Sequence, residues 1–296
     1  MRNLNPNSII VTVNNKYPID VKCIQSFNIN QQLSEKAMDA FLELCVLRDA
    51  QLVTAYNEVN HDKAGFVPRL GCMYLLSTFA ILLMQPDVSV EQFLNYDLVQ
   101  GLIRKQAYQI SYRSVIPLFW KGDPNEWFLI IVDSSNHSVN FIFTKYSAVI
   151  DSQICDDAKA ALCVDLKEKL SGLLSAQPTP PTPTPTPPTT TIITTDADEG
   201  QQLIDHHQQP TIIIQWTFIN HFSSTGTDDL HTDPHRRIPL SHYHCVSEKT
   251  ALGIYIMYSI ECDYFDTPIF APLETDWLNI RRNLAYCIIN EQLMLS

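Results

Sequence analysis

The spacing of apolar residues along the sequence changes from helical to strand-like near Ser114, and this change constrains the fold more than any other feature. Before it, residues 28–47 place Ala37, Phe41 and Cys45 on one helical face behind Ser34, a candidate N-cap. After it, VIPLFW and EWFLIIVDSSNHSVNFIFTKY contain strand-like runs around the polar turn SSNHS, which predicts a hairpin. Helices followed by strands and then by mixed elements predict an α+β fold, not a regular βαβ winding.

Other periodic segments predict further elements along the chain. Alternation predicts a strand over Ile9–Val13, and another strand resumes over 211–219. Helical spacing predicts helices over 70–84, 90–102, 156–174, 250–262 and 276–293. Pro86 and Asp87 separate the first two of these, and Leu162, Leu166, Leu170 and Leu173 form the apolar stripe of the third. We expect the helix over 28–47 and the two that follow it to stack as one layer.

A run of proline and threonine, QPTPPTPTPTPPTTT, interrupts the periodic pattern after the helix predicted over 156–174. Proline removes backbone donors and favours extended polyproline conformation, so this run and the polar stretch that follows should be mobile. Because a strand of the same style resumes afterwards, we predict one domain, 1–296, with a disordered insertion at 177–210. A linker between two domains is the alternative.

Charge and targeting signals exclude several classes of protein. The formal net charge of −12, with few adjacent basic residues, argues against direct binding of nucleic acid. The start MRNLNPNSII lacks the pattern of a signal peptide, and the longest apolar stretch, 73–84, is shorter than the roughly 20 residues of a membrane helix. Eight cysteines without a C-x-x-C pair indicate reduced, mostly buried thiols. We therefore expect an intracellular protein that does not bind a membrane.

Four short motifs follow one another in a characteristic order. They are QLSE with FLELC, then STFAILL, then IPL with EWFLIIVD, and finally ALGIY, trailed by an arginine to isoleucine pattern that ends at Ile289. Their order and spacing resemble the ubiquitin-like-protein-specific proteases, the SUMO-deconjugating cysteine proteases, over nearly the whole chain outside the insertion. The resemblance implies a papain-like, adenain-like cysteine proteinase fold, with a mixed central sheet flanked by helices.

In that family a cysteine thiolate attacks the isopeptide carbonyl, a histidine keeps it ionised, an aspartate orients the histidine, and a glutamine stabilises the oxyanion. Carried over by motif, the histidine, aspartate, glutamine and cysteine positions are Glu126, Phe143, Val246 and Leu252. Glutamate would raise a neighbouring thiol's pKa, and none of the other three residues offers the acceptor, donor or nucleophile required. The resemblance thus implies a pseudoprotease and not an enzyme.

The family also closes two tryptophans over the Gly-Gly tail of the modifier. Trp127 matches one of these positions, whereas the other is Gln32. A single tryptophan is more typical of a core or groove wall than of a ligand clamp. These two positions are the candidate binding residues of a former tail tunnel.

Two other candidate sites involve the polar loop before the helix over 250–262. Imidazole and thiolate can bind zinc, and the weak candidate ligands are His231, His235, His242, His244 and Cys245. Pro234 and Pro239 prevent a helix that would align the first two histidines, so a solvated loop and no cofactor is our expectation. A displaced nucleophile, Cys245 with His242 or His244, is the enzymatic alternative.

The sequence therefore predicts a catalytically inactive SUMO-protease-like protein that acts as an interaction or scaffold subunit of a larger complex. The alternatives are an active cysteine hydrolase or acyltransferase that uses the displaced pair, and a zinc-bearing regulator. The expected partners are proteins, with a ubiquitin-like modifier among the candidates. The resemblance implies a nuclear setting more than a cytoplasmic one.

Overall fold

The computed structural model describes residues 5–105, 107, 111–121, 126–143, 152–176, 217–221, 252–264 and 274–293. The strands in these ranges are β1 (Ile9–Val13), β2 (Tyr17–Asp20), β3 (Met73–Tyr74), β4 (Arg113–Trp120), β5 (Glu126–Asp133), β6 (Ser138–Phe143) and β7 (Thr217–His221). The helices are α1 (Val21–Gln25), α2 (Glu35–Asn60), α3 (Ser77–Leu83), α4 (Val90–Leu94), α5 (Asp97–Arg104), α6 (Ser152–Ser175), α7 (Leu252–Tyr264) and α8 (Glu274–Ile289). The predicted α+β class is confirmed.

The central sheet has five strands in the order β3-β4-β5-β6-β7. Strands β4, β5 and β6 are antiparallel, whereas β3 and β7 run parallel to their neighbours at the two edges. The predicted hairpin is present: Asp133 pairs with Ser138, and the SSNHS turn supplies the residues between them. Because β7 pairs with β6, residues on both sides of 177–216 contribute to this sheet. The insertion at 177–210 lies outside the described residues, and the single-domain interpretation remains a prediction.

The sheet is apolar on both faces because successive side chains of a strand point to opposite sides. On β5, Trp127, Leu129 and Ile131 pack with α2, α7 and α8, whereas Phe128 and Ile130 pack with α3 to α6. The predicted single layer of the first three helices is therefore wrong. A sheet with two apolar faces needs a helical layer on each, so α2 covers one face and α3 to α5 cover the other.

Two predicted helices differ from the observed ones at particular hydrogen bonds. The helix expected over 70–84 begins only at Ser77, because residues 73–74 pair with β4 and the Leu75 amide donates to the Val115 carbonyl at 2.9 Å. The helix expected over 90–102 is divided into α4 and α5, and the Gln100 side chain donates to the Leu94 carbonyl at 2.8 Å. Short-range apolar spacing cannot show either contact.

Other local predictions agree with the structure. The Ser34 hydroxyl accepts the Ala37 amide at 3.2 Å and caps α2, which runs on to Asn60. On α6, Leu166, Leu170 and Leu173 are buried, as the stripe predicted. Six cysteines are free thiols: Cys23, Cys45, Cys72, Cys163, Cys262 and Cys287. Within the described ranges no helix is both long and apolar enough to cross a membrane.

Candidate functional site

Helix α7 is the central helix of the molecule, and its N-terminal end is the candidate site. The residues Ile254, Tyr255 and Ile256 are buried although they point in different directions around the helix. A helix that is apolar all round must be enclosed by other elements, and α7 lies against β5, α2 and α8. Its first residue is Leu252, which the resemblance assigns to the family's nucleophile position.

The second residue of α7 is in very close contact with two residues that are distant in sequence. A Cβ atom built on Gly253 would lie 2.7 Å from Leu33 Cβ and 3.0 Å from Trp127 Cδ1. Only glycine fits this approach without movement of its neighbours. Trp127 therefore lies against two residues that neighbour candidate positions. They are Gly253, which follows the nucleophile position, and Leu33, which follows Gln32.

This contact reverses the usual effect of alanine in a helix. Alanine normally stabilises a helix relative to glycine by up to about 1 kcal/mol. At Gly253 the added methyl group would overlap Leu33 Cβ, which side-chain rotation cannot move, so Gly253→Ala is expected to lower the free energy of unfolding by about 1–2 kcal/mol. Chemical denaturation measures the change.

Gly101 in α5 provides the matched control. A Cβ atom built there has nothing within 4 Å, so Gly101→Ala should raise the free energy of unfolding by up to about 1 kcal/mol. A stabilising effect of Gly253→Ala would contradict the close approach of α7 to Leu33 and Trp127.

The two candidate tunnel positions differ in exposure. Trp127 is only 2% exposed, and its ring packs on Phe119 with 5.0 Å between ring centroids. Gln32 is exposed, one residue before the buried Leu33. Both lie beside the first turn of α7, Trp127 as part of the core and Gln32 on the surface. Their role in binding remains a prediction.

The strand register places two further candidate positions near this point. Glu126 is the first residue of β5, directly before Trp127, and its backbone pairs with Trp120. Phe143 is the last residue of β6 and pairs with Phe128. Positions 126, 143 and 252 therefore converge at one end of the sheet and helix. Val246 lies outside the described residues.

Two candidate replacements for the family's catalytic groups lie far from this end of the sheet. His137 is in the turn at the other end of β5, about 24 Å along the strand from Glu126. Cys262 is ten residues into α7, about 15 Å from its start. Burial raises the pKa of the Cys23 and Cys45 thiols, which keeps them protonated and poor nucleophiles.

The histidine-rich loop that contains His231, His235, His242, His244 and Cys245 lies outside the described residues. In the part of the chain that is described, no group of three or more histidine, cysteine or acidic side chains could hold a metal ion. The zinc site and the displaced Cys245 nucleophile both remain predictions.

Sequence reasoning missed two partners of Trp127 at the site. Leu33 and Phe119 carry no chemical signal, and only the short distance to Gly253 or to the tryptophan ring reveals them. A glycine near the start of an otherwise apolar helix was the one signal that could have indicated a close approach. An ion pair, Lys121 Nζ to Glu35 Oε1 at 3.5 Å, links the end of β4 to the start of α2 nearby.

Comparison with solved structures identifies the fold. The catalytic domain of the Chaetomium thermophilum Ulp1-like SUMO protease matches with a TM-score of 0.53 and 12% identity, over 99% of this chain and 87% of that one. SUMO protease Ulp1 with its catalytic cysteine oxidised to a sulfenic acid matches with a TM-score of 0.52 and 12% identity, over 96% and 89%. The C-terminal Ulp1 protease domain in complex with Smt3, the yeast orthologue of SUMO, matches with a TM-score of 0.51 and 10% identity, over 98% and 90%.

These matches cover nearly the whole of each chain at very low identity. No protein-family model matches the sequence, and a search of curated proteins also finds no match. The chain therefore has the fold of SUMO-protease catalytic domains, as the motifs predicted.

Proposed function

We propose that this chain is a catalytically inactive SUMO-protease-like protein that serves as an interaction or scaffold subunit of a protein complex. The observation that carries the proposal is the identity of the first residue of α7. The family's nucleophile belongs at this place, and the side chain here is that of Leu252, which has no lone pair for attack on a carbonyl. A protease fold with leucine at this position supports the proposal that the nucleophile has been lost.

The neighbouring positions support the same proposal. A carboxylate at position 126 would disfavour a thiolate, and a phenyl ring at position 143 cannot accept a hydrogen bond from an imidazole. The raised pKa values of Cys23 and Cys45 argue against these two thiols as substitutes. Loss of several chemically distinct groups is harder to compensate than loss of one.

The partner that we propose is a protein, and a ubiquitin-like modifier is one candidate because the Ulp1 domain has been solved in complex with Smt3. We also propose a nuclear setting, which rests on the resemblance alone. Gln32 is the exposed residue of the former tail tunnel and is the position at which partner contact can be tested.

Reactive SUMO and ubiquitin probes test the loss of activity. Vinyl-sulfone and propargyl derivatives of both modifiers form a covalent adduct with an active-site cysteine and not with leucine. We expect no adduct on the purified chain under conditions in which an active SUMO protease domain is fully labelled. Denaturing gel electrophoresis and intact-mass spectrometry measure the adduct.

The Cys245→Ser variant separates the alternatives if an adduct does form. Labelling that disappears in this variant would establish the displaced Cys245 nucleophile, with His242 or His244 as its base. Labelling that persists would assign another cysteine. Either result would overturn the pseudoprotease proposal.

A further inference from the structure

A cavity of about 430 Å³ lies near the C-terminal end of α7, far from the candidate site at its start. Its size is within the range of ligand-binding pockets. It is lined by the apolar residues Leu70, Val115 and Ile260 and by the rings of Tyr74, Tyr112 and Tyr264. Because Asp263 at this end is ten residues from Gly253, about 15 Å of helix separates the cavity from the candidate site.

The outer wall of the cavity, residues 68–72, is held in place by side chains of α2. The Asn57 amide oxygen accepts the Arg69 backbone amide at 2.8 Å, and Asp49 Oδ2 accepts the Cys72 amide at 2.7 Å. A Cβ atom on Gly71 would lie 2.7 Å from the same Asp49 oxygen, so a larger residue here would have to displace this carboxylate. The wall is therefore formed before any ligand arrives.

The cation inside the cavity is paired with carboxylates. Arg113 Nη1 lies 2.6 Å from Asp263 Oδ1, and Arg113 Nε lies 3.7 Å from Asp133 Oδ2. Burial, together with neighbouring carboxylates, raises the pKa of Cys72 to about 12, and burial also raises the pKa of Tyr74. Both groups stay protonated at neutral pH. An uncharged group suits this interior better than an ion does.

The mouth of the cavity carries a cation and an apolar rim. Arg69 is exposed, and no carboxylate of the described residues forms an ion pair with it. Val67 and Leu70 beside it are 75% and 49% exposed, and Phe66 packs on Tyr56 with 6.3 Å between ring centroids. Apolar surface of this kind next to a pocket is typical of a protein-binding site.

We propose that this cavity binds a polypeptide segment of a partner protein, which inserts an aromatic or long aliphatic side chain beside the tyrosines and places a carboxylate against Arg69. A small molecule that filled only the cavity would leave Val67 and part of Leu70 in water, whereas a polypeptide would cover the rim as well. The carboxylate follows from the guanidinium of Arg69 at the mouth, which has no ion-pair partner among the described residues. This site is independent of the proposed loss of protease activity, because it lies at the other end of α7.

Random heptapeptides displayed on phage and selected on the purified full chain test the proposal. The enriched peptides should combine an aromatic or long aliphatic residue with a nearby aspartate or glutamate. After synthesis with a fluorescent label, their binding by anisotropy should weaken at least tenfold on Arg69→Glu and on Leu70→Asp. Both residues are exposed, so both variants should keep the far-ultraviolet circular dichroism spectrum and thermal midpoint of the wild type.

Arg104→Glu and Ile81→Asp are the matched controls, with the same changes at exposed positions on the other helical layer. They should alter the affinity by less than twofold. The proposal is overturned if no peptide is enriched, if the enriched peptides lack the paired apolar and acidic residues, or if they bind Arg69→Glu and Leu70→Asp as tightly as the wild type.

Discussion

Replacing Trp127 with alanine is expected to lower the free energy of unfolding by about 3–5 kcal/mol, because the indole belongs to the core. Its side chain is 2% exposed and is enclosed by Phe119, Leu33 and the first turn of α7 at Gly253. Alanine would leave a cavity at the place where helix and sheet meet. Urea denaturation followed by circular dichroism measures the loss.

Trp120→Ala is the matched control, since this tryptophan is half-buried at the end of β4. Trp120→Ala should lower the free energy of unfolding by clearly less than Trp127→Ala does. A Trp127→Ala loss below about 1.5 kcal/mol would instead identify Trp127 as an exposed groove wall, contrary to its burial.

The burial of Trp127 also decides how partner binding is to be tested. A Trp127→Ala variant perturbs the whole fold, so a lost partner would not identify a binding surface. Gln32→Arg changes an exposed residue next to the same contact and should leave the stability nearly unchanged. Affinity purification with this variant tests the proposed former tail tunnel in an intact protein.

Removing the cation of the Arg113–Asp263 pair is the second substitution with a large expected effect. Both side chains are almost fully buried, at 8% and 7% exposed, and their atoms lie 2.6 Å apart. Arg113→Met would leave the Asp263 carboxylate buried without its cation, at an expected cost of about 3–5 kcal/mol. Asp133, the second carboxylate, keeps the hydrogen bonds that it accepts from Ser135 and Asn136.

A double variant distinguishes the pair from simple loss of packing. Arg113→Met combined with Asp263→Leu removes both charges, and most of the lost stability should return because a buried ion pair is often no better than apolar residues. Lys121→Met breaks the ion pair with Glu35, whose side chains are 71% and 30% exposed. It should lower the free energy of unfolding by less than about 1 kcal/mol. Additive effects of the two buried substitutions would contradict direct coupling.

Local features of the chain were predictable because their causes are local. The hairpin of β5 and β6, the Ser34 cap and the apolar stripe of α6 depend on periodicity or on residues a few positions apart. The division of α4 from α5 was missed, since apolar spacing continues across the break. The late start of α3 was missed because a strand contact from β4 outweighs helical spacing at Leu75.

Much of the candidate site could also be predicted, but only as a set of separate positions. Motif order identified positions 126, 143 and 252, and the structure brings them to one end of the sheet and central helix. Leu33 and Phe119 were not predicted, because an apolar residue gives no sign of which distant residue it contacts.

The sequence by itself determined the class of fold and, through the resemblance, predicted which residues stand at the matched positions, because periodicity and functional groups are properties of the residues themselves. Tertiary structure alone decided that α2 and α3 to α5 cover opposite faces of the sheet, that Trp127 is buried against Gly253, and that Arg69 stands at the mouth of a cavity. These features depend on contacts between residues far apart in the chain. Packing determines such contacts, and no local pattern of residues encodes them.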